Sequence, residues 1–295
     1  MFKNLMVYRL SKSFSVSLSQ LEQGLAGQRF VECSATQEKS LGWIEPRGQA
    51  HGPLAESVGG QWILKLMLET KSVPASVINR KLQTRVEQIE ATEGRKAGKK
   101  ERRDMKDELR FQLLPMAFTK QSSIWVWIDL KAKLLVLDAG SPAKADDAMT
   151  LLTQCVPGLE VKPLDTRTSP AVAMAQWLIS QEPPAGLTVD RECELKAPDE
   201  SRAVVRYARH PLDIDEVRSH IESGKQPTRL ALTWDSRVSF VLTDALMLKK
   251  LAFLDVVFEG PAGKQDEGFD TDVAIATGEL QRLLPDLVLA LGGEA

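Results

Sequence analysis

The densest group of chemically capable side chains lies between residues 95 and 106, where seven cations stand against two acids. Such a cluster can neutralise DNA phosphates and release their counterions, and it would bind without reading the base sequence. A solvated helix face with i,i+4 ion pairs, such as Lys100 with Asp104, has the same composition. The sequence leaves both interpretations open. The seven cations are Arg95, Lys96, Lys99, Lys100, Arg102, Arg103 and Lys106.

A second basic cluster precedes Pro211. Strand alternation would place Arg202 and Arg206 on one face, with Arg209 on the other. His210 follows directly, and Tyr207 is interleaved, a composition found on nucleic-acid-binding surfaces. The alternative is a solvated edge strand that its charges protect from aggregation. The two clusters together make a nucleic-acid surface more credible than either one separately.

One carboxylate arrangement has catalytic content. Asp190, Glu194 and Lys196 resemble the acidic core of metal-dependent nucleases, in which two carboxylates hold Mg²⁺ and a lysine positions the attacking water. The spacing from Asp190 is shorter than in the usual form, and Glu-x-Lys arises by chance in a chain rich in both residues. An exposed, charged strand or turn is the alternative interpretation.

Other catalytic and cofactor signals are weak. The three histidines, at positions 51, 210 and 220, form no HxxxH or HxxEH pair, so zinc binding is not expected. Gly263–Lys264 is the nearest match to a phosphate-binding loop, but Phe258 replaces its first glycine and Gln265 its hydroxyl residue. We therefore expect no metal and no cofactor.

The composition limits the class of protein. Hydrophobic residues make up 43% and charged residues 26% of 295 positions, and no apolar run approaches the ~18 residues of a membrane span. These values exclude a disordered, fibrous or membrane-spanning chain. Since the net charge is −2, attraction to polyanions requires segregated charge. Three widely spaced cysteines and a short N-terminal apolar run predict a reducing compartment, the cytoplasm.

The first half of the sequence alternates strand and helix signals. A strand near the N-terminus precedes a helix within 16–30, and a second strand covers 62–68. After Pro74, which stops that strand, Ser76 can cap a helix with one narrow apolar stripe. The pattern fades through Gly94 and Gly98 and resumes to Pro115, which predicts two helices, or one interrupted helix, projecting as an arm with a flexible hinge at the glycines.

The remainder predicts a mixed α/β chain. Apolar runs at 124–128 and 134–137 indicate a hairpin, and helices follow at 143–156 and 170–180. The clearest hairpin spans 229–242 around an Asp235–Ser236 turn, after a helix that Asp213 could cap. A C-terminal helix covers about 270–291. Adjacent prolines within 181–187 mark the best boundary. The predicted division is 1–73 with 119–182 as a central α/β region, 74–118 as the basic arm and 183–295 as a second α/β region.

Phe118 lies between the predicted arm and the strand that follows it. An aromatic residue in such a place usually fills a hydrophobic core. The alternative is a contact with another subunit, because aromatic residues concentrate binding energy at interfaces.

Seven fragments in order along the chain resemble the bacterial recombination-associated RdgC family. Each fragment is weakly specific by itself, but their order and spacing make coincidence improbable. They are FKNLMVYRL at 2–10, Leu41–Trp43, Leu113–Pro115 with Ala117–Phe118, Trp127–Asp129, Leu230–Leu232, Thr277–Leu280 and Leu291–Ala295.

The resemblance implies a homodimeric ring of two curved α/β subunits with antiparallel or mixed sheets. Such a ring encircles double-stranded DNA without sequence preference, restrains the RecA recombinase, acts at replication forks on the nucleoid and performs no catalysis. By the same resemblance, Phe118 matches an aromatic residue at a ring-closing contact and Arg95 a basic residue of the DNA-facing arm. Arg209 and His210 match a basic-polar pair associated with DNA binding.

Three function classes therefore remain distinguishable. A DNA-encircling binder predicts salt-sensitive binding that leaves DNA intact. A Mg²⁺-dependent nuclease predicts metal-dependent cutting that Glu194→Ala abolishes. A protein-binding scaffold predicts neither, and its basic clusters would serve solubility.

Overall fold

The computed structural model describes residues 1–259 and 268–295, so Gly263–Lys264 lies outside the described residues. The described part has a mixed α+β fold with a large antiparallel sheet, which confirms the predicted fold class. Its strands are β1 (Leu5–Leu10), β2 (Lys39–Ile44), β3 (Ala55–Val58), β4 (Gln61–Lys71), β5 (Thr119–Asp129), β6 (Leu134–Asp138), β7 (Val161–Pro163), β8 (Leu187–Lys196), β9 (Val204–Ala208), β10 (Gln226–Trp234), β11 (Val238–Thr243) and β12 (Leu248–Phe253). Its helices are α1 (Leu18–Ala26), α2 (Ala75–Glu93), α3 (Lys99–Leu113), α4 (Pro142–Cys155), α5 (Pro170–Ser180), α6 (Asp215–Glu222) and α7 (Phe269–Ala290).

Strand β1, the first in the sequence, lies in the middle of the sheet. The strand order is β2-β4-β5-β6-β1-β12-β11-β10-β8-β9, with β3 beside β4 and β7 beside β1. One edge of β1 pairs with β6 along five residues. The opposite edge is divided, because Leu5 pairs with Leu248 of β12 whereas residues 8–10 pair with β7. The two halves of the sheet are therefore joined through β1.

The half of the sheet around β1 and β6 is buried on both faces. Leu5 and Val7 belong to one hydrophobic cluster with α5 and α7, whereas Tyr8 and Leu10 belong to a second cluster with α1 and α4. A strand covered on both faces needs apolar residues at consecutive positions. This explains the uninterrupted run Leu134–Leu137 that predicted a strand in the sequence.

The half of the sheet formed by β8 to β12 is covered on one face. Leu230, Leu232 and Trp234 of β10 point into the first cluster, and the alternate side chains lie on the other face. The hairpin predicted at 229–242 is confirmed by six antiparallel residue pairs between β10 and β11. The loop has three residues, one more than the predicted Asp235–Ser236 turn, because Trp234 pairs with Val238. Asp235 and Ser236 have positive φ angles of 48° and 52°, and the Arg237 amide donates to the Trp234 carbonyl at 2.8 Å.

Helix α7 fastens both halves. Leu280, Leu283, Leu284 and Leu287 are buried in the first cluster, which contains residues of β1, β5 and β6 as well as β10 and β11. Polar contacts from the same helix reach both halves. The Gln281 amide donates to Asp129, the last residue of β5, at 2.6 Å. Trp234 of β10 donates to Asp286 at 3.0 Å, and Arg237 donates two hydrogen bonds to Glu279 at 2.7 and 2.8 Å.

Two predicted helix caps are wrong. Helix α2 begins at Ala75 after Pro74, so Ser76 lies inside the first turn and no side chain caps the helix. Helix α6 begins at Asp215 with Ile214 at the N-cap position, which leaves Asp213 outside the helix. In both helices the N-cap residue, Pro74 or Ile214, has no side-chain oxygen, so a search for capping residues does not locate the start of the helix.

Helix α5 precedes the predicted boundary at 181–187 in sequence but packs against β10, β11 and α6. Its Ala173, Met174, Trp177 and Leu178 lie in the same cluster as Leu230. Over the described ranges, no helix combines the length and apolar character needed to cross a membrane.

We predict that Glu279→Gln lowers the free energy of unfolding by about 2–3 kcal/mol, because it breaks a buried carboxylate contact with two arginines. Hydrogen bonding by Arg237 lowers the pKa of Glu279, against the effect of burial. The stabilisation is therefore complete above the unfolded pKa of about 4.3 and is lost as pH falls through the folded value. Urea unfolding at neutral pH and at pH 4 measures both effects.

The exposed Glu32→Gln is the control for loss of one negative charge. Equal stability of the two variants at neutral pH would contradict the role assigned to Glu279.

Candidate nucleic-acid interface

The predicted arm is an antiparallel helical hairpin formed by α2 and α3, inserted between the paired strands β4 and β5. A small apolar cluster of Ile78, Leu109 and Leu113 holds the hairpin near the sheet. Farther out, Arg85 of α2 pairs with Glu108 of α3 at 3.1 Å. Because this core is small, most of the hairpin surface remains exposed to solvent.

Four exposed cations lie along one flank of α3. At 3.6 residues per turn, positions 99, 102, 103 and 106 fall within about 100° of each other around the axis. Leu109 and Leu113 face the small cluster, and Asp104 and Glu108 lie on the opposite flank. Among the described residues, none of the four cations forms an ion pair. We name this flank the basic stripe: Lys99, Arg102, Arg103 and Lys106.

Arg95, at the tip of the hairpin, differs from the stripe because acids already hold it. Its guanidinium donates two hydrogen bonds to Glu101, at 2.8 and 2.9 Å, and one to Glu93 at 2.7 Å. Glu101 also accepts from the Gly98 amide. The hydrogen bonds from Arg95 lower the pKa of Glu101 to about 2. Arg95 thus fastens the tip, and three of its five N–H donors already meet carboxylates.

Gly94 and Gly98, where we expect a flexible hinge, lie in the short turn between α2 and α3. Gly94 adopts a left-handed conformation, φ 65°, and ends α2, while Gly98 occupies the N-cap of α3. A left-handed residue after a helix is favourable for glycine because it has no Cβ. The glycines therefore shape a short turn between two helices.

The remaining two cations of the predicted cluster lie off the stripe. Lys96 is exposed in the turn between α2 and α3. Lys100 lies about 100° from Lys99 around the axis of α3, on the side of Asp104. Only the helical periodicity, and not the count of charges, separates these residues from the stripe.

The second predicted cluster lies at the far edge of the sheet. From β5, next to the arm, to β9 there are seven strand spacings, or roughly 34 Å along the sheet. Arg209 and His210 follow β9 and are exposed; Arg209 has a positive φ of 56°. The His210 Nδ1 lies 2.8 Å from the Pro211 carbonyl. The structure therefore does not bring the two basic clusters together within one subunit.

The expected alternation of Arg202 with Arg206 is wrong, since β9 begins only at Val204 and Arg202 lies in the preceding turn with φ 46°. Arg206 is on the strand, and its Nε donates to Glu194 at 2.6 Å. That cross-strand ion pair uses part of the charge that the sequence offered for phosphate binding.

The candidate nuclease residues all lie on β8, but their carboxylates are directed to different partners. Asp190 accepts from Thr233 at 2.9 Å, and Glu194 accepts from Thr228 at 2.8 Å. These threonines are five residues apart on β10, about 16 Å for an extended strand, whereas Mg²⁺ ligands lie at about 2.1 Å from the ion. Among the described residues there is no group of three or more His, Cys, Asp or Glu able to hold a metal ion.

Phe118 is 93% exposed, so within one subunit it is not part of a core. Phe111 and Met116 are also large, apolar and mostly exposed, at 64% and 69%. The sequence does not single out either residue as a contact. For Phe111 a signal is present, because its helical position differs from those of Leu109 and Leu113, which face the small apolar cluster.

The fold and surface define a class: a single-sheet α+β protein that carries a basic helical hairpin. A family model described as "Putative exonuclease, RdgC" matches residues 1–294. Curated relatives named "Recombination-associated protein RdgC" are 44% identical in Dechloromonas aromatica (strain RCB) and 45% identical in Janthinobacterium sp. (strain Marseille). Each alignment covers 99% of this chain and 98% of the relative. The chain therefore belongs to the RdgC family, and its predicted family resemblance is confirmed.

Membership supports a role in recombination. The relatives' names give an association with recombination and do not name an enzyme, whereas the description of the family model names an exonuclease.

We predict that Arg95→Gln raises the pKa of Glu101 from about 2 toward its ordinary value of about 4.3, because the variant removes the cation that holds the carboxylate. An NMR titration of the Glu101 carboxyl carbon measures the midpoint. Lys96→Gln, which removes a neighbouring charge without touching Glu101, should leave it nearly unchanged. Equal midpoints in all three proteins would show that Arg95 does not hold the tip.

Proposed function

We propose that this protein binds double-stranded DNA without sequence preference, as a ring-shaped homodimer that encircles DNA and limits RecA-mediated recombination. The observation that carries the proposal is the basic stripe on α3, four exposed cations without acidic partners in the described structure. Cations at helical spacing can meet successive phosphates of a duplex, and such contacts carry no base information.

The charge distribution supports this binding mode. The chain has a net charge of −2, so general attraction to DNA is absent and the basic stripe must act locally. A closed ring needs less contact affinity than an open groove, since encirclement itself prevents dissociation from a circular duplex. In this proposal Arg209 and His210 contribute a second contact, and Lys96 and Lys100 add charge near the tip.

The apolar group of Phe118, Met116 and Phe111 supports self-association. Three large apolar side chains within eight positions are exposed to water, which is unfavourable and is typical of an interaction site. A second copy of this chain would bury them in a symmetric contact. Closure of a two-subunit ring requires a second contact elsewhere, which we assign to the C-terminal helix α7. Its leucines at 280, 283, 284 and 287 are buried in the core, so the exposed Leu289 is the apolar residue proposed for that contact.

In the cell, the proposal places the protein in the cytoplasm on the nucleoid and at replication forks. Occupied DNA is less accessible to RecA, and this competition needs neither catalysis nor a cofactor. The name of the curated relatives supports the connection with recombination.

A second candidate function is a Mg²⁺-dependent nuclease that uses Asp190, Glu194 and Lys196. The family description as an exonuclease favours it. The distinct threonine partners of the two carboxylates count against it, because a shared ion would require both to move. DNA integrity after incubation with Mg²⁺ decides between the two functions.

We predict that binding to unrelated duplexes is equal in affinity and weakens steeply with salt. The double variant Arg103→Gln/Lys106→Gln should weaken it by roughly tenfold or more, since each lost cation removes a charge-assisted contact. It should also lower the salt slope by about one unit per phosphate contact. Fluorescence anisotropy over a salt series measures both quantities, with Lys131→Gln as the control for an exposed cation outside the proposed surface.

The same measurement on covalently closed circles tests encirclement, because complexes on circles should outlast those on open linear DNA at high salt. Absence of binding at low salt would refute the DNA-binding function and favour a protein-binding scaffold. Cutting in Mg²⁺ that Glu194→Ala abolishes would establish the nuclease.

We predict that Phe118→Ala weakens self-association by roughly tenfold or more, as expected for an aromatic residue at the centre of an interface. Its thermal unfolding at a concentration where both proteins are monomeric should be unchanged, because the side chain is already exposed. Gel filtration with light scattering gives the dissociation constant. Val31→Ala, at an exposed apolar residue on another segment, is the control. A wild-type protein that stays monomeric at micromolar concentration would exclude the ring.

A further inference from the structure

The open face of the second half of the sheet contains a polar cavity of about 240 Å³ between β8, β10 and the β11–β12 turn. One water molecule occupies about 30 Å³ in the liquid, so the cavity has room for a group of several heavy atoms. Three cations line it from three strands: Lys196 of β8, Arg229 of β10 and Lys249 of β12. None of them belongs to the basic stripe or to the Arg209–His210 pair.

These cations have unused hydrogen-bond donors. An arginine offers five N–H donors and a lysine three. Within the described structure none of the three side chains donates a hydrogen bond to the protein, and the closest acid oxygen to Arg229, on Glu194, is 4.0 Å away. This contrasts with Arg95, whose donors already meet two carboxylates. The cavity therefore favours a ligand with several acceptor oxygens.

Two carboxylates also line the cavity, Glu194 and Asp244. Burial opposes ionisation of Glu194, but hydrogen bonds from Arg206 and Thr228 outweigh it and lower the pKa of the carboxyl group. Its charge is offset mainly by Arg206, at 2.6 Å and outside the cavity lining, whereas Arg229 lies 4.0 Å from the carboxylate. With Arg206 included, four cations stand against the two acids Glu194 and Asp244. The excess positive charge lies on Lys196, Arg229 and Lys249, whose donors are free in the described part of the chain.

Strand pairing fixes this arrangement. Glu194 lies opposite both Arg206 of β9 and Arg229 of β10, so the three charges form a row across the sheet. Lys249 lies opposite Val241 of β11, on the same open face as Arg229. A rigid sheet therefore holds the cations in place, which reduces the entropy lost when they bind a common ligand.

We propose that this cavity binds a phosphate group, and that in the cell the group belongs to the sugar–phosphate backbone of nucleic acid. The tetrahedral anion accepts hydrogen bonds on several oxygens and matches the donors of Lys196, Arg229 and Lys249. The assignment of the phosphate to nucleic acid rests on the proposed DNA binding. The second half of the sheet would then contact the DNA backbone at β10, which lies five strand spacings from β5 and the arm.

The test compares the full-length protein with the double variant Arg229→Gln/Lys249→Gln in duplex binding over a salt series. We expect affinity to fall by roughly tenfold or more, equally for unrelated sequences, and the salt slope to shrink by one to two units. Circular dichroism and thermal unfolding confirm that the variant is folded. A second variant, Lys196→Gln, changes an exposed lysine at the end of β8 and keeps the inference testable if the double variant is unstable.

Inorganic phosphate is the probe for the other source of the ligand. NMR shifts of backbone amides at residues 194–196 and 243–249 that saturate with phosphate and are lost in the double variant would show that the cavity binds free phosphate. If the double variant then bound DNA as tightly as the wild-type protein, the assignment of the phosphate to the nucleic-acid backbone would be overturned. Wild-type affinity in both cavity variants, while Arg103→Gln/Lys106→Gln weakens binding, would refute the cavity contact and leave the proposed function intact. Failure of the wild-type protein to bind DNA would refute the function itself.

Discussion

The structure depends on strand β1, whose two edges hold the two halves of one sheet together. Its contact with β12 is a single residue pair, Leu5 with Leu248, supplemented by the hydrogen bond from the Leu251 amide to the Lys3 carbonyl. So little pairing cannot hold the halves by itself. Helix α7 makes the junction stable, because its leucines lie in a cluster shared by strands of both halves. The first and last parts of the chain thus meet at the centre of the fold.

This construction determines where binding surfaces can be. Around β1 and β6 both faces of the sheet are covered by helices, so no sheet surface remains there for a large partner. Exposed charge is displaced to the helical hairpin between β4 and β5 and to the uncovered face of β8 to β12. A chain with more acids than bases can therefore present two local surfaces with excess positive charge. Their separation suits an extended polyanion better than a small ligand.

In the basic hairpin, the number of cations in the sequence does not tell which of them are free to bind a ligand. Arg95 was the cation most directly implied by the family resemblance, yet two carboxylates hold it. The cations of the basic stripe have no acidic partner in the described structure and carry the proposed function instead. The sequence indicates only a catalytic role for Lys196, whereas the fold places this lysine at a cavity with Arg229 and Lys249. These assignments depend on neighbours that are distant in sequence.

Local sequence determined the mixed α+β class, the helices, many of the strands, the hairpin between β10 and β11 and the helical character of the arm. Hydrophobic period and turn residues act over a few positions, so they suffice for such elements. The order of residue types also sufficed to identify the family. Tertiary structure alone decided that β1 lies in the centre of the sheet, that α5 packs with the later strands and that Phe118 is exposed. It also decided which cations are neutralised, since each carboxylate partner is positioned by folding. Glu194, for example, meets Arg206 only after β8 pairs with β9. Strand pairing and ion pairing over long sequence separations are set by the global packing of the core, and no local pattern specifies them.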